Sequence, residues 1–302
     1  MLMDSENLRE LINIVSKRSK HKSKILLQIP EGLKYNAIEI IDNLKRLGHD
    51  VVLSAEPCYG ACDIKDYEAK KMGCDLILHL GHKKFYKKFK TIVPVIYFPI
   101  KLSVKYNPVE LKKISYKKIG LISTIQHVET LKDISRDLKN IGKSSVIGGE
   151  ILGCYTKNAS KIEKNVDCFL FVGSGEFHAS GLVTEKPVYI FDLEKNKVRL
   201  INKMKRLKIL HANLAKLDDA KKVGILISTK KGQFFDLNRI EKLKNRLKKM
   251  NKKVYVLVMD NITNEKLTGL KIDYFINTAC PRIVENVFDK PVINVRDLFG
   301  NI

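Results

Sequence analysis

The sequence predicts an α/β protein made of three related parallel-sheet α/β units arranged around a pseudo-threefold axis. Three observations lead there. Short apolar runs without polar alternation recur along the chain, as strands covered on both faces of a parallel sheet require. Segments with apolar residues at three- and four-residue spacing separate them, the mark of amphipathic helices. The same order of strand, helix and strand returns three times, at a period too long for a solenoid, so the copies read as duplicated domains. The units are residues 1–105, 106–200 and 201–302.

Each unit opens with a basic residue and a short strand: Lys24-Ile-Leu-Leu-Gln-Ile, Lys118-Ile-Gly-Leu-Ile-Ser and Lys222-Val-Gly-Ile-Leu-Ile-Ser. In the first unit a helix precedes it, because Met1–Lys24 alternates charge with Leu and Ile and lacks the apolar core of a signal peptide. After each opening strand comes a loop and a helix, at about Tyr35–Leu47, Val128–Ile141 and Asn238–Met250. Gly48, Gly142 and Asn251 stand where a helix C-terminus favours a left-handed residue. Second strands follow at Asp50–Ser54, Ser144–Gly148 and Lys253–Met259. An aspartate then leads each third strand, from Asp75, Asp167 and Asp273. The fourth strands begin at Pro94, Pro187 and Pro291, a position where proline is tolerated. Right-handed crossovers are the default for such units. Ligands of such sheets bind beyond the carboxyl ends of the strands.

Composition narrows the class. Apolar residues make up 44% of 302 residues, enough for buried cores and too many for wholesale disorder. No apolar run approaches the ~18–20 residues of a membrane span, so the expectation is a cytoplasmic protein without membrane contact. The net charge of +23 favours an acidic or nucleic-acid-associated partner. The lysines are nevertheless spread evenly, with no compact basic motif interleaved with aromatics, and direct nucleic-acid binding is not expected.

Six cysteines without dense pairing motifs do not make a disulfide scaffold. Cys74 and Cys168 lie inside apolar runs and read as core thiols. Three others have glycine, alanine or proline beside them: Cys62 in Tyr59-Gly-Ala-Cys-Asp63, Cys154 in Glu150-Ile-Leu-Gly-Cys154 and Cys280 in Asn277-Thr-Ala-Cys-Pro-Arg282. Small neighbours suit close backbone approach to a ligand. Each lies at the carboxyl edge of a different sheet, so only the folded chain brings them together. Three thiolates are the number that fills three irons of a four-iron cluster and leaves one iron open. The set differs from a zinc finger or a ferredoxin, whose ligands come from neighbouring turns or one loop.

The motifs containing these cysteines, together with Pro30-Glu-Gly-Leu33, His79-Leu-Gly-His82, Gly173-Ser-Gly-Glu-Phe-His178 and Lys230-Lys-Gly-Gln233, resemble the archaeal diphthamide synthase family. These are the 2-(3-amino-3-carboxypropyl)histidine synthases, and the likeness runs in order along nearly the whole chain. The resemblance implies three α/β domains that each give one cysteine to a 4Fe–4S cluster. It implies a homodimer, an electron donor and a radical use of S-adenosylmethionine. Cleavage at the methionine γ-carbon would release methylthioadenosine and transfer the 3-amino-3-carboxypropyl group to C2 of a histidine imidazole in translation elongation factor 2. The metal ligands are then Cys62, Cys154 and Cys280. Cys58, four residues before Cys62, is a departure that reads as a spare thiol near the site.

The remaining candidates are assigned on that footing. The loop Gly173-Ser174-Gly175 is assigned to S-adenosylmethionine, because small residues let backbone N–H groups approach a polar ligand. A plain strand-to-helix turn is the alternative. His79, His82, His127 and His178 gather at strand ends, and His127 and His178 are the candidates for positioning the target imidazole or taking its C2 proton. Gln126 and Gln233 are candidates for polar contacts, and Lys230 and Lys231 for holding a carboxylate, unless they are solvated lysines. The rival readings are a quinolinate synthase-like dehydratase, in which an open-iron cluster acts as a Lewis acid, and a basic nucleic-acid-binding protein with a structural cluster.

Overall fold

A computed structural model describes residues 3–19, 22–84, 90–233 and 236–299. Helix α1 (Ser5–Arg18) starts at Asp4, whose carboxylate accepts from the Asn7 N–H. Glu6 in its first turn and Lys17 and Arg18 in its last complement the helix dipole. Leu11 and Val15 bury its inner face in the first core. Strand β1 (Lys24–Gln28) leads through a 3-10 turn into α2 (Ala37–Arg46), which buries Ala37, Ile40 and Leu44. Gly48, at φ +86°, ends that helix and delivers the chain to β2 (Asp50–Ser54). Helix α3 (Asp66–Lys71), β3 (Leu76–Leu80) and β4 (Val95–Phe98) complete a parallel sheet ordered β2-β1-β3-β4.

The second unit repeats this with β5 (Lys118–Ser123), α4 (Thr130–Asn140), β6 (Ser144–Glu150), α5 (Lys157–Ile162), β7 (Cys168–Gly173) and β8 (Val188–Asp192). A fifth strand, β9 (Lys197–Leu200), was not expected and pairs antiparallel to β8. The reason is length. Only residues 193–196 separate the two strands, whereas a parallel crossover needs a dozen or more residues. Asn196, at φ +50°, turns the hairpin.

The third unit contains α6 (Lys203–Asp219), β10 (Lys222–Ser228), α7 (Leu237–Lys249), β11 (Lys253–Met259), α8 (Asn264–Leu267), β12 (Tyr274–Asn277), β13 (Val292–Asn294) and α9 (Val295–Phe299). Its order β11-β10-β12-β13 matches that of the first sheet. Gly142 and Asn251 have φ of +75° and +57°, the left-handed turn that the sequence called for after α4 and α7.

The repeated aspartates have one structural task. Asp75 accepts from the Lys24 N–H, Asp167 from Lys118 and Asp273 from Lys222, at 2.8, 3.1 and 2.8 Å. Each fastens the start of a unit's first strand to the lead-in of its third. Separate apolar cores cover the two faces of every sheet, which is why these strands lack polar alternation. Among the described residues no helix is long and apolar enough to cross a membrane.

The units meet at the carboxyl ends of their sheets. The Gln126 side chain donates to the Gly81 carbonyl at 3.0 Å, joining the second unit to the first. The Gly232 N–H donates to the Cys62 carbonyl at 3.0 Å, joining the third to the first. Arg282 donates to the Ser180 hydroxyl at 2.7 Å, joining the third to the second.

Candidate active site

Cys62 lies between β2 and α3 in a tight turn that the Asp63 N–H closes on the Gly60 carbonyl at 3.0 Å. A Cβ on Gly60 would sit 3.6 Å from the Cys62 sulfur, which places the thiol directly beside that glycine. Cys154 occupies the tip of a two-residue turn closed by reciprocal Leu152–Tyr155 backbone bonds of 2.9 and 3.0 Å. An irregularity in the β5–β6 register places Gly148 out of pairing, and Gly149 at φ +85° redirects the strand toward that turn. Cys280 follows β12. The Asn277 side chain donates to its carbonyl at 2.8 Å, and the Thr278 hydroxyl donates to the Leu226 carbonyl at 2.7 Å.

The fold brings these three thiols within electrostatic reach of one another. Burial raises Cys62, and the neighbouring Cys280 adds to the effect. Burial pushes Cys154 up to about 12, with further contributions from Cys280 and Cys62. Cys154 keeps solvent access at its turn tip, yet the protein around it is dense enough to disfavour a bare thiolate. Burial raises Cys280 too, while Arg282 and Lys230 pull it down. A group of mutually repelling thiols with cations beside it fits a metal cluster. In such a cluster iron would hold the thiolates, and Lys230 and Arg282 would offset the remaining negative charge.

A layer of polar side chains fixes this arrangement. Gln233 donates its amide to the Cys62 sulfur at 3.4 Å. Buried Lys230 pairs with buried Asp63 at 2.6 Å and stacks over the Tyr59 ring at 4.9 Å. Lys65 adds contacts to Asp63 at 3.3 Å and Asp260 at 2.8 Å. Lys231 pairs with Asp66. The carboxylates held by Lys230 and Lys231 are therefore the protein's own. Gln126 is likewise spent on Gly81. The units pack edge to edge here and use these three side chains as ties.

His178 accepts from the Gly153 N–H at Nδ1, 3.1 Å away, which leaves its proton on Nε2. Burial, then Arg282 and His82, hold its pKa at about 4. His127 is buried, its pKa is lowered by burial, and its Nδ1 has no hydrogen-bond partner. It lies against Gly173, where a Cβ would come 3.6 Å from its ring carbon Cδ2. The Ser174 hydroxyl is buried without a partner, and a Cβ on Gly175, at φ +68°, would meet open space. An unsatisfied hydroxyl in an open glycine loop fits a place for a polar ligand.

This chain matches the family profile of diphthamide synthesis proteins over residues 29–300. It belongs to that family. It is 35% identical to the 2-(3-amino-3-carboxypropyl)histidine synthase of Pyrococcus horikoshii, across 97% of this chain and 88% of the relative. The synthase of the same name from Methanocaldococcus jannaschii is 31% identical across 94% and 85%. A crystal structure of Dph2 from Pyrococcus horikoshii with a 4Fe-4S cluster superposes with a TM-score of 0.84 at 31% identity, covering 96% of this chain and 88% of that one. Membership of the diphthamide family decides against the quinolinate synthase-like alternative, which the fold alone could not do.

The family motifs contain residues to which sequence reasoning gave no role, and Arg282 is the most telling of them. Arg282, two residues after Cys280, is buried and ion-paired to Glu285, and it stacks on Phe177 at 4.6 Å. A Cβ on Gly153 would come 3.1 Å from its side chain, so the guanidinium stem runs directly under the Cys154 turn. The signal was present, since an arginine beside a ligand cysteine is placed to offset thiolate charge.

Proposed function

We propose that this chain catalyses the first step of diphthamide biosynthesis. It transfers the 3-amino-3-carboxypropyl group of S-adenosylmethionine to C2 of a histidine imidazole in translation elongation factor 2 and releases methylthioadenosine. The observation that carries this reading is the meeting of Cys62, Cys154 and Cys280, one from each unit, in a chain similar to named synthases over most of its length. Cys62, Cys154 and Cys280 would hold a 4Fe–4S cluster, which when bound would supply the electron for reductive cleavage of the sulfonium carbon–sulfur bond.

The protein's part is to hold and orient. Cys62, Cys154 and Cys280 are the ligands. Gln233 aims the Cys62 sulfur through its amide, while Lys230 and Arg282 stabilise negative charge at the centre. Gly173, Ser174 and Gly175 form the loop for S-adenosylmethionine, with the Ser174 hydroxyl as its polar contact. His178, neutral at pH 7 and protonated at Nε2, orients the incoming imidazole as a donor. The bare Nδ1 of His127 is the acceptor for the proton that leaves C2. The working form in this reading is a homodimer in the cytoplasm, fed by a one-electron donor. A symmetric pair is the commonest soluble assembly, and sedimentation as a 34.5 kDa species alone would count against it.

The test is product analysis. Anaerobically purified protein, reduced with dithionite and given S-adenosylmethionine, is expected to release methylthioadenosine. Release of 5′-deoxyadenosine would show cleavage on the other side of the sulfonium and overturn the reading.

A further inference from the structure

We propose that Cys58, His79 and His82 form a second metal site, selective for zinc, that fastens the Cys62 loop to the end of β3. All three come from the first unit, and none belongs to the set of one cysteine per unit. Cys58 is 3% exposed and His79 fully buried, while His82 is half-buried. One ligand atom from each lies within 4.8 Å of the others.

The tautomer of His79 is set for coordination. The Gln28 side chain is fixed at both ends. Its amide nitrogen donates to the Asp63 carbonyl at 2.5 Å, and its oxygen accepts from the Lys65 N–H at 3.4 Å. That oxygen faces Nδ1 of His79 at 3.2 Å, so Nδ1 must carry the proton. The lone pair of His79 is thereby placed on Nε2, which accepts from Nδ1 of His82 at 3.1 Å; on metal binding the His82 proton moves to its Nε2 and frees Nδ1 as a ligand. An outer amide that orients a ligating imidazole in this way is the usual second layer of a metal site. Zinc–nitrogen bonds of ~2.0–2.1 Å in a tetrahedron put two nitrogens about 3.3 Å apart. The two imidazoles already stand near that separation.

The donor chemistry points to zinc. One thiolate and two imidazoles suit a borderline-soft cation and not the oxygen-seeking magnesium or calcium. Burial, assisted by the charge of Asp63, pushes the Cys58 thiol up to about 12, and burial holds His79 near 3 and His82 near 4. Without metal the three are thus a neutral thiol and two neutral rings. Binding replaces the thiol proton, which leaves to solvent, and the fourth position takes water. Cys58 shares its loop with Cys62, so the metal would stiffen the segment that carries that ligand.

The test uses the full chain with Cys62, Cys154 and Cys280 changed to Ser, so that only Cys58 can supply a thiolate near the site. Cobalt(II) titrated under argon is expected to bind once per chain and give a near-ultraviolet thiolate charge-transfer band with tetrahedral bands in the visible. Zinc should displace it. Adding Cys58→Ser should abolish the charge-transfer band. His82→Ala, at the exposed side of the trio, should weaken binding about 100-fold, whereas Cys74→Ser and Cys168→Ser should leave it unchanged. As a second measurement, zinc per chain in the holoprotein with all cluster cysteines intact should fall from one to none on Cys58→Ser. A folded protein without the band, a band that survives Cys58→Ser, or zinc content indifferent to Cys58 would overturn the proposal.

Discussion

Substituting Gly232 by alanine should disable the site while leaving the fold intact. Gly232 belongs to the third unit, yet a Cβ there would lie 2.5 Å from both Cα and Cβ of Cys62 and 2.8 Å from its carbonyl oxygen. Its φ lies outside the left-handed region, so alanine meets no backbone penalty and the conflict is purely steric. The obstacle is main chain, which cannot rotate away as a side-chain tip can. To restore ordinary contact the two segments must part by about 0.9 Å, close to the ~1 Å misplacement that costs about 10²-fold in rate. Neither segment moves freely, because the Gly232–Cys62 backbone bond and the Lys230–Asp63 and Lys231–Asp66 pairs clamp them. The strain of such overpacking is about 1–3 kcal/mol, survivable for a domain of this size. The assay is iron per chain together with the initial rate of methylthioadenosine release. The expected result is a folded protein with depleted iron, a rate down about 100-fold, or both. Gly32→Ala is the control, since nothing lies within 4 Å of its Cβ. Full iron and a wild-type rate in folded Gly232→Ala would refute the idea that unit packing sets the position of Cys62.

Other outcomes follow from the same geometry. Cys62→Ala, Cys154→Ala and Cys280→Ala should each abolish the cluster or leave an unstable three-iron form, while Cys74→Ala and Cys168→Ala keep wild-type iron; colorimetric iron and sulfide counts decide. Lys230→Met should destabilise the protein by about 3 kcal/mol, because it strips a partner from a buried carboxylate, and the shift in urea midpoint measures it. Stability of the metal-free protein should fall on acidification. His79, His82 and His178 hold folded pKa values of about 3, 4 and 4, below the ~6.5 of the unfolded chain. The native state therefore binds fewer protons, and its advantage is complete above pH ~6.5 and lost as pH falls toward 4. Urea midpoints unchanged between pH 7.5 and 5 would contradict this.

Much of the fold was legible because it is written locally and three times over. Apolar runs, helix periodicity and the left-handed residues Gly48, Gly142 and Asn251 each sit in a short window of sequence. The three cysteines that the fold gathers stood out for the same reason, through their small neighbours. What escaped was whatever depends on distant segments meeting or on strands without an apolar run. Lys230 looked like one lysine among many in a chain of +23, and only the assembled edge makes it a buried partner of Asp63. Gln126 reads as a free amide until the Gly81 carbonyl arrives from another unit. Cys58 looked superfluous because His79 and His82, which lie near it, come from the end of β3 and the loop after it. Strand β9 was missed because Lys197–Leu200 is polar and half-exposed, with no apolar run to announce it.

In the proposed reaction the three units combine their cysteines to modify a histidine on another protein. Incubating the reduced, anaerobic protein with S-adenosylmethionine and elongation factor 2, then mapping the partner by mass spectrometry, tests it most directly. The expected result is a gain of one 3-amino-3-carboxypropyl group on carbon C2 of a single histidine, with methylthioadenosine formed in equal amount. The gain should disappear in Cys62→Ala, Cys154→Ala and Cys280→Ala alike. An unmodified partner in the presence of an intact, reducible cluster, or modification that persists without any one of these cysteines, would contradict the account.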